Sequence, residues 1–406
     1  MSHFVVIGGG IAGLTAANAL ATAGSVTLLE QSHALGGRGR TTDAGGYLMN
    51  LGPHALTANG IAAQTFHEWG LQISGGNPAE RGKGIRAVIM RDGVLYPAVD
   101  NFASLLKSRM FSLREKLELA KLLSFTEHED VGESESVNEW LSRRVHSQRV
   151  RQYVRMGLRT ATYALAFDHL SAKNALRQLA LTMKSGVLYL DGGWQVFVDG
   201  LARRAESMGV EFRTGIKIER LSEVQADGIV IATDRHNAQR LSSIEFPPAI
   251  PAYAACLDLC LRRLPDGAPT VAFAIDRPLY YSVHSAVAKL TPKGHALVHI
   301  MKYLSGTTDD SQSVRRELEE YADIVMPGWR ESLDKDRFLP NVMVSAAIPT
   351  ASANPAKSSA IDRVAFAGEW VKSRGLLADA AVSSALEAAR SVIQPESLDP
   401  RSGADT

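Results

Sequence analysis

Cysteine is scarce in this chain of 406 residues, since only Cys256 and Cys260 occur. Two cysteines exclude both a disulfide framework and a four-cysteine metal site, and they fit a reducing compartment, so we expect a cytoplasmic protein. Both lie in the alternating run 255–261, where a spacing of four along a strand puts them on one face. This pattern predicts two buried apolar side chains.

A strong charge excess and a long apolar run are also absent. The formal net charge is +1, from 44 basic and 43 acidic side chains, so we expect no nucleic-acid partner. No apolar stretch approaches the roughly twenty residues that a membrane helix needs, although peripheral contact with a membrane stays open. The length, with 45% hydrophobic and 21% charged residues, predicts two packed domains.

The first thirty residues predict a β-α-β unit. Residues 4–7 are a short, largely β-branched run, residues 11–21 are an alanine-rich helical pattern, and residues 26–29 form a second apolar run. This is the length expected for one mononucleotide-binding half of a Rossmann-type domain.

The rest of the chain alternates between this α/β pattern and two insertions. Residues 61–185 have mainly helical periodicity, with capping-box patterns that begin at Ser112 and Ser136. Residues 251–350 are rich in strand-like runs. We therefore predict an α/β fold made of a Rossmann-type domain, an interwoven α+β substrate domain and a flexible tail. Their bounds are 1–60, 186–250 and 351–395 for the first domain, 61–185 and 251–350 for the second, and 396–406 for the tail.

A glycine motif between the first strand and the first helix predicts a phosphate-binding turn. Gly8, Gly10 and Gly13 fit the pattern G-x-G-x-x-G. In this pattern the first glycine makes a tight turn, the second lets the backbone approach a pyrophosphate, and the third packs the helix on the strand. The helix then begins at Ile11 and Ala12, where free N–H groups favour negative charge.

Glu30 closes the second apolar run, twenty residues past Gly10. A carboxylate at this place can hold ribose hydroxyls and disfavours a 2′-phosphate, so the pattern predicts NAD or FAD rather than NADP. The alternative is an ordinary turn beside a solvent-exposed strand-end charge. The joint occurrence of strand, glycines, helix and carboxylate favours the dinucleotide site.

Two further segments distinguish FAD from NAD. Residues 35–41 read Leu-Gly-Gly-Arg-Gly-Arg-Thr, and residues 47–55 read Tyr-Leu-Met-Asn-Leu-Gly-Pro-His-Ala. They resemble the flavin amine oxidase superfamily, which includes amine oxidases, protoporphyrinogen oxidases and phytoene desaturases. The resemblance implies FAD in a glutathione reductase-like domain, with Gly37 and Arg38 at the FAD phosphates or the flavin edge. A guanidinium on a two-glycine turn suits bidentate phosphate contact, whereas the alternative is a surface arginine.

The resemblance implies further cofactor contacts. Residues 189–201 resemble the segment that re-enters the FAD domain, and Ile218 is expected in a short strand that passes near the adenine. The helix that follows residues 367–369 is expected to direct its N-terminus at the flavin. No cysteine is placed like a flavin-linking residue, so non-covalent binding is expected. The remaining expected contacts are Leu51, Gly52, Pro53, His54, Gly368, Glu369 and Ala378.

Three other features of the sequence are candidates for a function. Two of them leave two interpretations open, and for one the functional interpretation is excluded. His54 follows Gly52 and Pro53 in the loop expected under the flavin, where it could act in catalysis or pack against the cofactor. His295 and His299 have the spacing of a helical metal pair, but their surroundings alternate like a strand, so no metal site is predicted. Residues 143–159 contain six arginines and no acid, which predicts either a salt-bridged face or a patch for an acidic substrate or membrane.

The resemblance implies an oxidoreductase that transfers a hydride from its substrate to flavin N5. Residues 50–56 and 189–194 look closer to the desaturases and protoporphyrinogen oxidases than to the amine oxidases, so we expect C–C dehydrogenation of an apolar or porphyrin-like small molecule. Because the sequence has a single dinucleotide motif, we expect no separate NAD(P)H site. Oxygen or a quinone is therefore the expected electron acceptor. Amine oxidation is the alternative. A further alternative is an FAD-binding isomerase without net redox chemistry, or an inactive partner subunit. The oligomeric state stays open.

Overall fold

The computed structural model describes residues 2–78, 86–99, 101–123, 131–307, 310–351, 359–361 and 363–394. These residues form twelve α-helices and eighteen β-strands. The helices are α1 Ile11–Leu20, α2 Ile61–Glu68, α3 Phe102–Lys107, α4 Leu113–Leu123, α5 Val137–Arg144, α6 Gln148–Thr162, α7 Ala172–Ser185, α8 Gln195–Ser207, α9 Arg235–Ser242, α10 Ser311–Val325, α11 Trp329–Ser332 and α12 Ala378–Ile393. The predicted tail, 396–406, lies outside the described residues.

The strands are short in the first half of the chain and longer in the second. They are β1 His3–Ile7, β2 Ser25–Glu30, β3 Thr41–Asp43, β4 Leu48–Asn50, β5 Leu56–Thr57, β6 Gly75–Gly76, β7 Ala87–Arg91, β8 Val94–Pro97, β9 Val187–Leu190, β10 Glu211–Thr214, β11 Gly228–Ile231, β12 Ala252–Leu261, β13 Val271–Ala274, β14 Leu279–Val283, β15 Ala296–Leu304, β16 Leu333–Ser345, β17 Ser359–Ile361 and β18 Val364–Phe366.

The described chain divides into two compact units. Unit 1 contains the described residues of 2–39, 197–247 and 359–394, and unit 2 contains those of 40–196 and 248–351. The breaks at 39 and 196 differ from the predicted bounds at 60 and 185. The reason is that β5 pairs with β9, and Leu48 N donates to Leu290 O at 2.8 Å, so these segments belong to unit 2. The assignment of domains to FAD and to substrate stays a prediction.

Unit 1 is built on a six-stranded sheet in the order β10-β2-β1-β11-β18-β17. The first five strands are parallel, and only the edge strand β17 is antiparallel. Strand β1 is buried along residues 4–7, as expected for a central parallel strand covered on both faces. The predicted α/β fold is confirmed, and its first β-α-β unit has the predicted bounds to within two residues.

Unit 2 contains a seven-stranded sheet in the order β16-β12-β15-β14-β13-β7-β8. Strands β7 and β8 lie inside the segment predicted as mainly helical, so that prediction is incomplete. The run 87–91 is too short for its apolar pattern to distinguish a strand from a helix, and its parallel pairing with β13 decides the outcome. The remainder of the segment contains α2 to α7, and the capping boxes at Ser112 and Ser136 are confirmed.

The two faces of this sheet have different neighbours. On β12, the odd-numbered residues from Ala255 to Leu261 share an apolar core with α10 and α11. The even-numbered residues from Ala254 to Cys260 lie on the opposite face, and both cysteines are free and buried, as predicted. Among the described residues, no helix combines the length and apolarity needed to cross a membrane.

Candidate functional site

The glycine loop of unit 1 has the geometry that the motif predicts. Gly8 has a φ of +111°, and a Cβ there would lie 2.5 Å from the carbonyl oxygen of Ala232. A Cβ on Gly13 would lie 1.8 Å from the Gly8 oxygen, so only glycine allows α1 to pack this closely. A Cβ on Gly10 would meet no heavy atom within 4 Å. Gly10 therefore borders open space, in which a pyrophosphate can approach the backbone.

The start of α1 suits an anionic group. The helix begins at Ile11 with Gly10 as its N-cap, no side chain caps it, and its first turn carries no acidic residue. The N–H groups of a first helical turn, which here include those of Ile11 and Ala12, have no partner within the helix. Together with the helix dipole they favour a phosphate.

Glu30 ends β2 beside the glycine loop. Its Oε2 accepts a hydrogen bond from Gly9 N at 2.6 Å, and its Oε1 accepts one from Ser32 N at 2.7 Å. Each carboxylate oxygen has a second lone pair. The carboxylate therefore holds the loop in place and can also accept hydrogen bonds from ribose hydroxyls.

The second glycine turn packs against the first. Gly36 N donates to Gly9 O at 2.7 Å, and a Cβ on Gly37 would lie 3.4 Å from the Gly10 Cα. The next residue, Arg38, donates from Nη2 to Glu369 Oε1 at 2.9 Å. The Glu369 side chain is only 6% exposed, whereas the Arg38 side chain is 48% exposed. The fold thus joins two predicted cofactor segments that are 331 positions apart.

The C-terminal segment is held to α12 by side chains of that helix. Gly368 N donates to Ser384 Oγ at 2.9 Å, and Ser384 Oγ donates back to Gly368 O at 3.0 Å. Leu377 directly precedes Ala378, the first residue of α12, and has a φ of +56°. This conformation is costly for a leucine and is found where the surrounding structure imposes it. The turn into the helix N-terminus is therefore tightly defined.

Ile218 does not lie in a strand, so this prediction is wrong. Strand β10 ends at Thr214, and the chain from 215 to 220 is irregular because Gly215 has a φ of +74°. Ile216 N still donates to Glu30 O at 2.9 Å, which keeps the segment beside the end of β2. Contact between Ile218 and an adenine stays a prediction.

The loop Leu51 to His54 belongs to unit 2 and is described within it. Gly52 has a φ of +85°, and a Cβ there would lie 2.8 Å from Val342 Cγ1. His54 Nδ1 lies 3.1 Å from Gly52 O, and the His54 ring packs edge-on against Trp194 with centroids 5.1 Å apart. The loop has a defined conformation, while its contact with flavin and a catalytic role for His54 stay predictions.

A buried polar network in unit 2 was not predicted. Asp258 on β12 lies between His299 on β15 and Arg337 on β16 in the strand register. Asp258 Oδ1 lies 2.7 Å from His299 Nδ1, and its Oδ2 accepts from Arg337 Nε at 2.9 Å and Nη2 at 2.6 Å. The His284 ring stacks on His299 with centroids 5.0 Å apart. The alternating pattern around His299 indicated a strand, but it could not indicate these neighbours.

The protonation of this network follows from its burial and its contacts. Burial alone would raise the pKa of Asp258, but hydrogen bonds from His299 and Arg337 hold it below its usual value. Burial lowers the pKa of His284 well below its usual value, and the neighbouring His299 and His54 lower it further. Asp258 is therefore a carboxylate and His284 a neutral ring near neutral pH. The described residues contain no group of His, Cys, Asp and Glu side chains that could hold a metal ion.

The arginine run on and before α6 contacts other parts of unit 2. Arg143 pairs with Glu135 at 2.7 Å and Arg149 pairs with Glu115 at 2.9 Å. Arg155 donates to Asn138 Oδ1, and the buried Arg159 donates to the carbonyl of Arg277. These contacts support a salt-bridged face over a binding patch.

Unit 1 thus combines a largely parallel α/β sheet, a glycine loop in which Gly8 and Gly13 leave no room for a side chain, and a strand-end carboxylate, which together define a dinucleotide-binding fold. The family model of the flavin containing amine oxidoreductases matches residues 11–244, which is more than half of the chain. This chain belongs to that family. The predicted family is confirmed.

Curated relatives differ in how much of the chain they match. An L-amino acid oxidase of Crotalus durissus cumanensis is 45% identical over 74 residues, which are 18% of this chain and only 15% of that protein. Coproporphyrinogen III oxidase of Mycobacterium tuberculosis is 27% identical over 326 residues, which cover 73% of this chain and 68% of that protein. An oxidoreductase from Methanosarcina mazei has a similar structure, with a TM-score of 0.75 at 15% identity over 95% of this chain and 99% of its own.

Proposed function

We propose that this chain is an FAD-dependent oxidoreductase that dehydrogenates an apolar or porphyrin-like small molecule. One carbon loses a hydride to the flavin, the adjacent atom loses a proton, and a C–C double bond remains. The observation that carries the proposal is the geometry of unit 1, where the open space at Gly10, the Glu30 carboxylate and the Arg38–Glu369 pair occur together. The family indicates a flavin cofactor, and this geometry indicates which residues would hold it.

The residues present fit FAD. In the proposal, Gly10 and the N-terminus of α1 hold the pyrophosphate, Glu30 binds the adenosine ribose, and Arg38 neutralises phosphate or flavin charge. The N-terminus of α12 offers positive potential to the flavin. When bound, FAD supplies the hydride acceptor. Binding is proposed to be non-covalent, because both cysteines are buried in β12 of unit 2.

The substrate preference is proposed from one face of the unit 2 sheet. Partly buried aromatic and aliphatic side chains surround a buried group there that includes Met301 and Tyr303. Burial raises the pKa of Tyr163 and Tyr280 well above the usual value and that of Tyr303 to about 12, so these three hydroxyls are neutral. A surface rich in neutral tyrosines suits a flat apolar ring system. The partly buried members are Tyr163, Leu165, Tyr280, Leu339, Val342 and Val344.

The relatives support the same order of preference. The coproporphyrinogen III oxidase matches most of the chain, which favours a porphyrin-like substrate. The L-amino acid oxidase matches a short segment at higher identity, which supports amine oxidation as the second candidate. Oxygen or a quinone is proposed as electron acceptor, and a cytoplasmic location stays a prediction.

The first experiment is an absorbance spectrum of the purified protein before and after heat denaturation, followed by anaerobic titration. We expect a flavin spectrum that heating releases into solution as FAD, and bleaching by a porphyrinogen or a carotene precursor. Bleaching by primary or secondary amines alone would replace the first candidate by the second. Colourless protein that FAD does not reconstitute would overturn the proposal, and flavin that no substrate reduces would favour the isomerase or an inactive subunit.

Peripheral contact with a membrane is part of the proposal, and it is supported by the α3–α4 patch. This patch consists of Phe102, Leu106, Leu113 and Leu117, which are 52–73% exposed on two consecutive helices. Lys116 Nζ donates to Leu106 O at 2.6 Å and links the two helices. An exposed apolar surface of this kind marks an interaction site.

The charges around the α3–α4 patch favour an anionic lipid surface. The exposed charged side chains of the described residues 101–122 are all basic, namely Lys107, Arg109, Arg114 and Lys121. The two acidic side chains of α4 have partners elsewhere in unit 2, since Glu115 pairs with Arg149 and Glu118 accepts from Ser147 N. Helices that expose both basic and apolar side chains are typical of a membrane interface.

Vesicle sedimentation tests this contact. We expect the protein to bind phosphatidylcholine vesicles that contain phosphatidylserine, and the double change Leu113→Ser and Leu117→Ser to remove most of the binding. Val94→Ser is the matched control, because Val94 is 52% exposed outside the patch. Equal binding of all three proteins, or none by the wild type, would refute the membrane contact.

A further inference from the structure

The network of Arg337, Asp258 and His299, named here the Asp258 network, is buried in the unit 2 sheet. Asp258 is 4% and His299 is 2% exposed, and the Arg337 side chain is 19% exposed. The described residues offer no hydrogen-bond partner to His299 Nε2. The three residues occupy one cross-strand row, so the sheet register itself brings them together.

Stability alone does not account for these buried charges. Desolvation of a buried ion pair offsets most of the attraction between its partners, and apolar replacements are often neutral or stabilising. Apolar side chains already fill the same face on both sides, with Cys256 and Cys260 next to Asp258 along β12. A function of the network that apolar residues could not perform is therefore the better explanation.

The network holds the chain directly before the Leu51–His54 loop. Arg337 Nη2 donates to both Asp258 and the backbone oxygen of Asn50. The side-chain oxygen of Asn50 accepts from Thr41 Oγ1 at 2.7 Å and from Trp194 N at 3.0 Å. Asn50 is thus fixed through both its backbone and its side chain, and a charged group provides the backbone contact.

The other end of the loop lies near the same network. The His54 ring packs on Trp194, whose backbone nitrogen donates to Asn50. His284 stacks on His299 and packs on Tyr189 with ring centroids 4.1 Å apart. The loop from Asn50 to His54 is therefore supported at its entry by the Arg337 guanidinium and at its exit by the Trp194 ring.

We propose that Arg337 and Asp258 are positioning residues, which hold the Leu51–His54 loop in the conformation that the bound flavin ring requires. This inference rests on the proposed function, since it takes the loop to contact the flavin. A fixed guanidinium holds a carbonyl with a charge-assisted hydrogen bond, which limits the freedom of the residues that follow. Loss of the guanidinium or of its carboxylate partner loosens the loop while the FAD-binding residues of unit 1 stay intact.

The test uses the FAD-loaded proteins with Asp258→Asn and Arg337→Lys. We expect both to retain FAD with a Kd close to that of the wild type, but to show a shifted visible flavin spectrum and midpoint potential. The rate of flavin reduction by the substrate that bleaches the wild type should fall by about tenfold or more, the scale of a small misplacement of a reacting group. A third variant, Arg337→Ala, should show larger changes in spectrum, potential and reduction rate than Arg337→Lys, because only lysine keeps the charge.

Glu317→Gln is the matched control. Glu317 also accepts from an arginine and a second cation in unit 2, since it pairs with Arg277 at 2.8 Å and with Lys302. We expect its loss to lower stability without changing the flavin spectrum or potential. If Asp258→Asn does not fold, Arg337→Lys decides the test.

Two results would overturn the inference. Wild-type spectra, potentials and reduction rates in the Asp258 and Arg337 variants would show that the network does not position the loop. Equal changes in Glu317→Gln would show a general effect of instability. Both results leave the proposed function standing, whereas failure of the wild type to bind FAD would remove the proposed function and this inference together.

Discussion

Replacement of Glu30 tests the cofactor site most directly. The change Glu30→Ala removes the acceptors of two backbone hydrogen bonds, from Gly9 N at 2.6 Å and Ser32 N at 2.7 Å. It also removes the proposed acceptor of the ribose hydroxyls. Because Gly9 lies within the glycine loop, the change acts on both the ligand and the loop that receives it.

The expected loss follows from the strength of charged hydrogen bonds. Such a bond contributes about 1.5 to 3 kcal/mol. A loss of that size weakens FAD binding about tenfold to 150-fold. Glu30→Gln should lose less, because its amide keeps one oxygen acceptor. The Kd is measured by fluorescence titration of the apoprotein with FAD, and circular dichroism checks that each variant is folded.

Glu211→Gln provides the control on the neighbouring strand. Glu211 lies on β10 opposite Thr27 of β2 and forms an exposed ion pair with Arg213 at 2.8 Å. Exposed pairs contribute little, so FAD affinity should not change. A folded Glu30→Ala protein with wild-type affinity would contradict the placement of the ribose at Glu30, and an equal loss in Glu211→Gln would show that the sheet edge, and not the carboxylate, controls binding.

Two further predictions follow from the same structure. Gly10→Ala should fold with a wild-type melting temperature but bind FAD poorly, because its added methyl group meets no other atom of the protein. Gly13→Ala should fail to fold or melt at a much lower temperature, because its added methyl group would lie 1.8 Å from the Gly8 oxygen. Equal melting temperatures of the two variants in calorimetry would refute the roles given to these glycines. Burial lowers the pKa of His284 in the folded state, so the unfolded chain binds the extra proton and stability should fall as the pH drops below about 6.5. His284→Gln should reduce that decline in urea unfolding between pH 7 and pH 5, and an unchanged slope would show that the ring does not contribute.

The glycine loop could be predicted because each of its requirements is local. Gly8, Gly10 and Gly13 are set by backbone conformation and by contacts with the adjoining strand and helix, and such constraints recur at fixed spacing. The same holds for β1, α1 and β2, whose apolar periodicity changes at the glycines. The predicted strand at Ile218 is absent for a local reason as well, because Gly215 ends β10 four residues after that strand begins.

The strands β7 and β8 and the Asp258 network could not be predicted in this way. A short apolar run becomes a strand only when a partner strand lies beside it, and for β7 that partner is β13, more than 180 residues along the chain. Asp258, His299 and Arg337 meet because of the register of three strands. No spacing in the sequence reports that register.

The sequence by itself determined the family, the class of fold and the position of the phosphate-binding turn, because local periodicity and glycine conformation act over a few residues. Only the tertiary structure decided that Arg38 meets Glu369 and that the arginines of α6 contact other parts of unit 2. It also decided that the buried Asp258 pairs with the arginine that contacts the backbone of Asn50. These contacts join residues far apart in the chain, and their formation depends on how strands and helices pack rather than on any nearby residue.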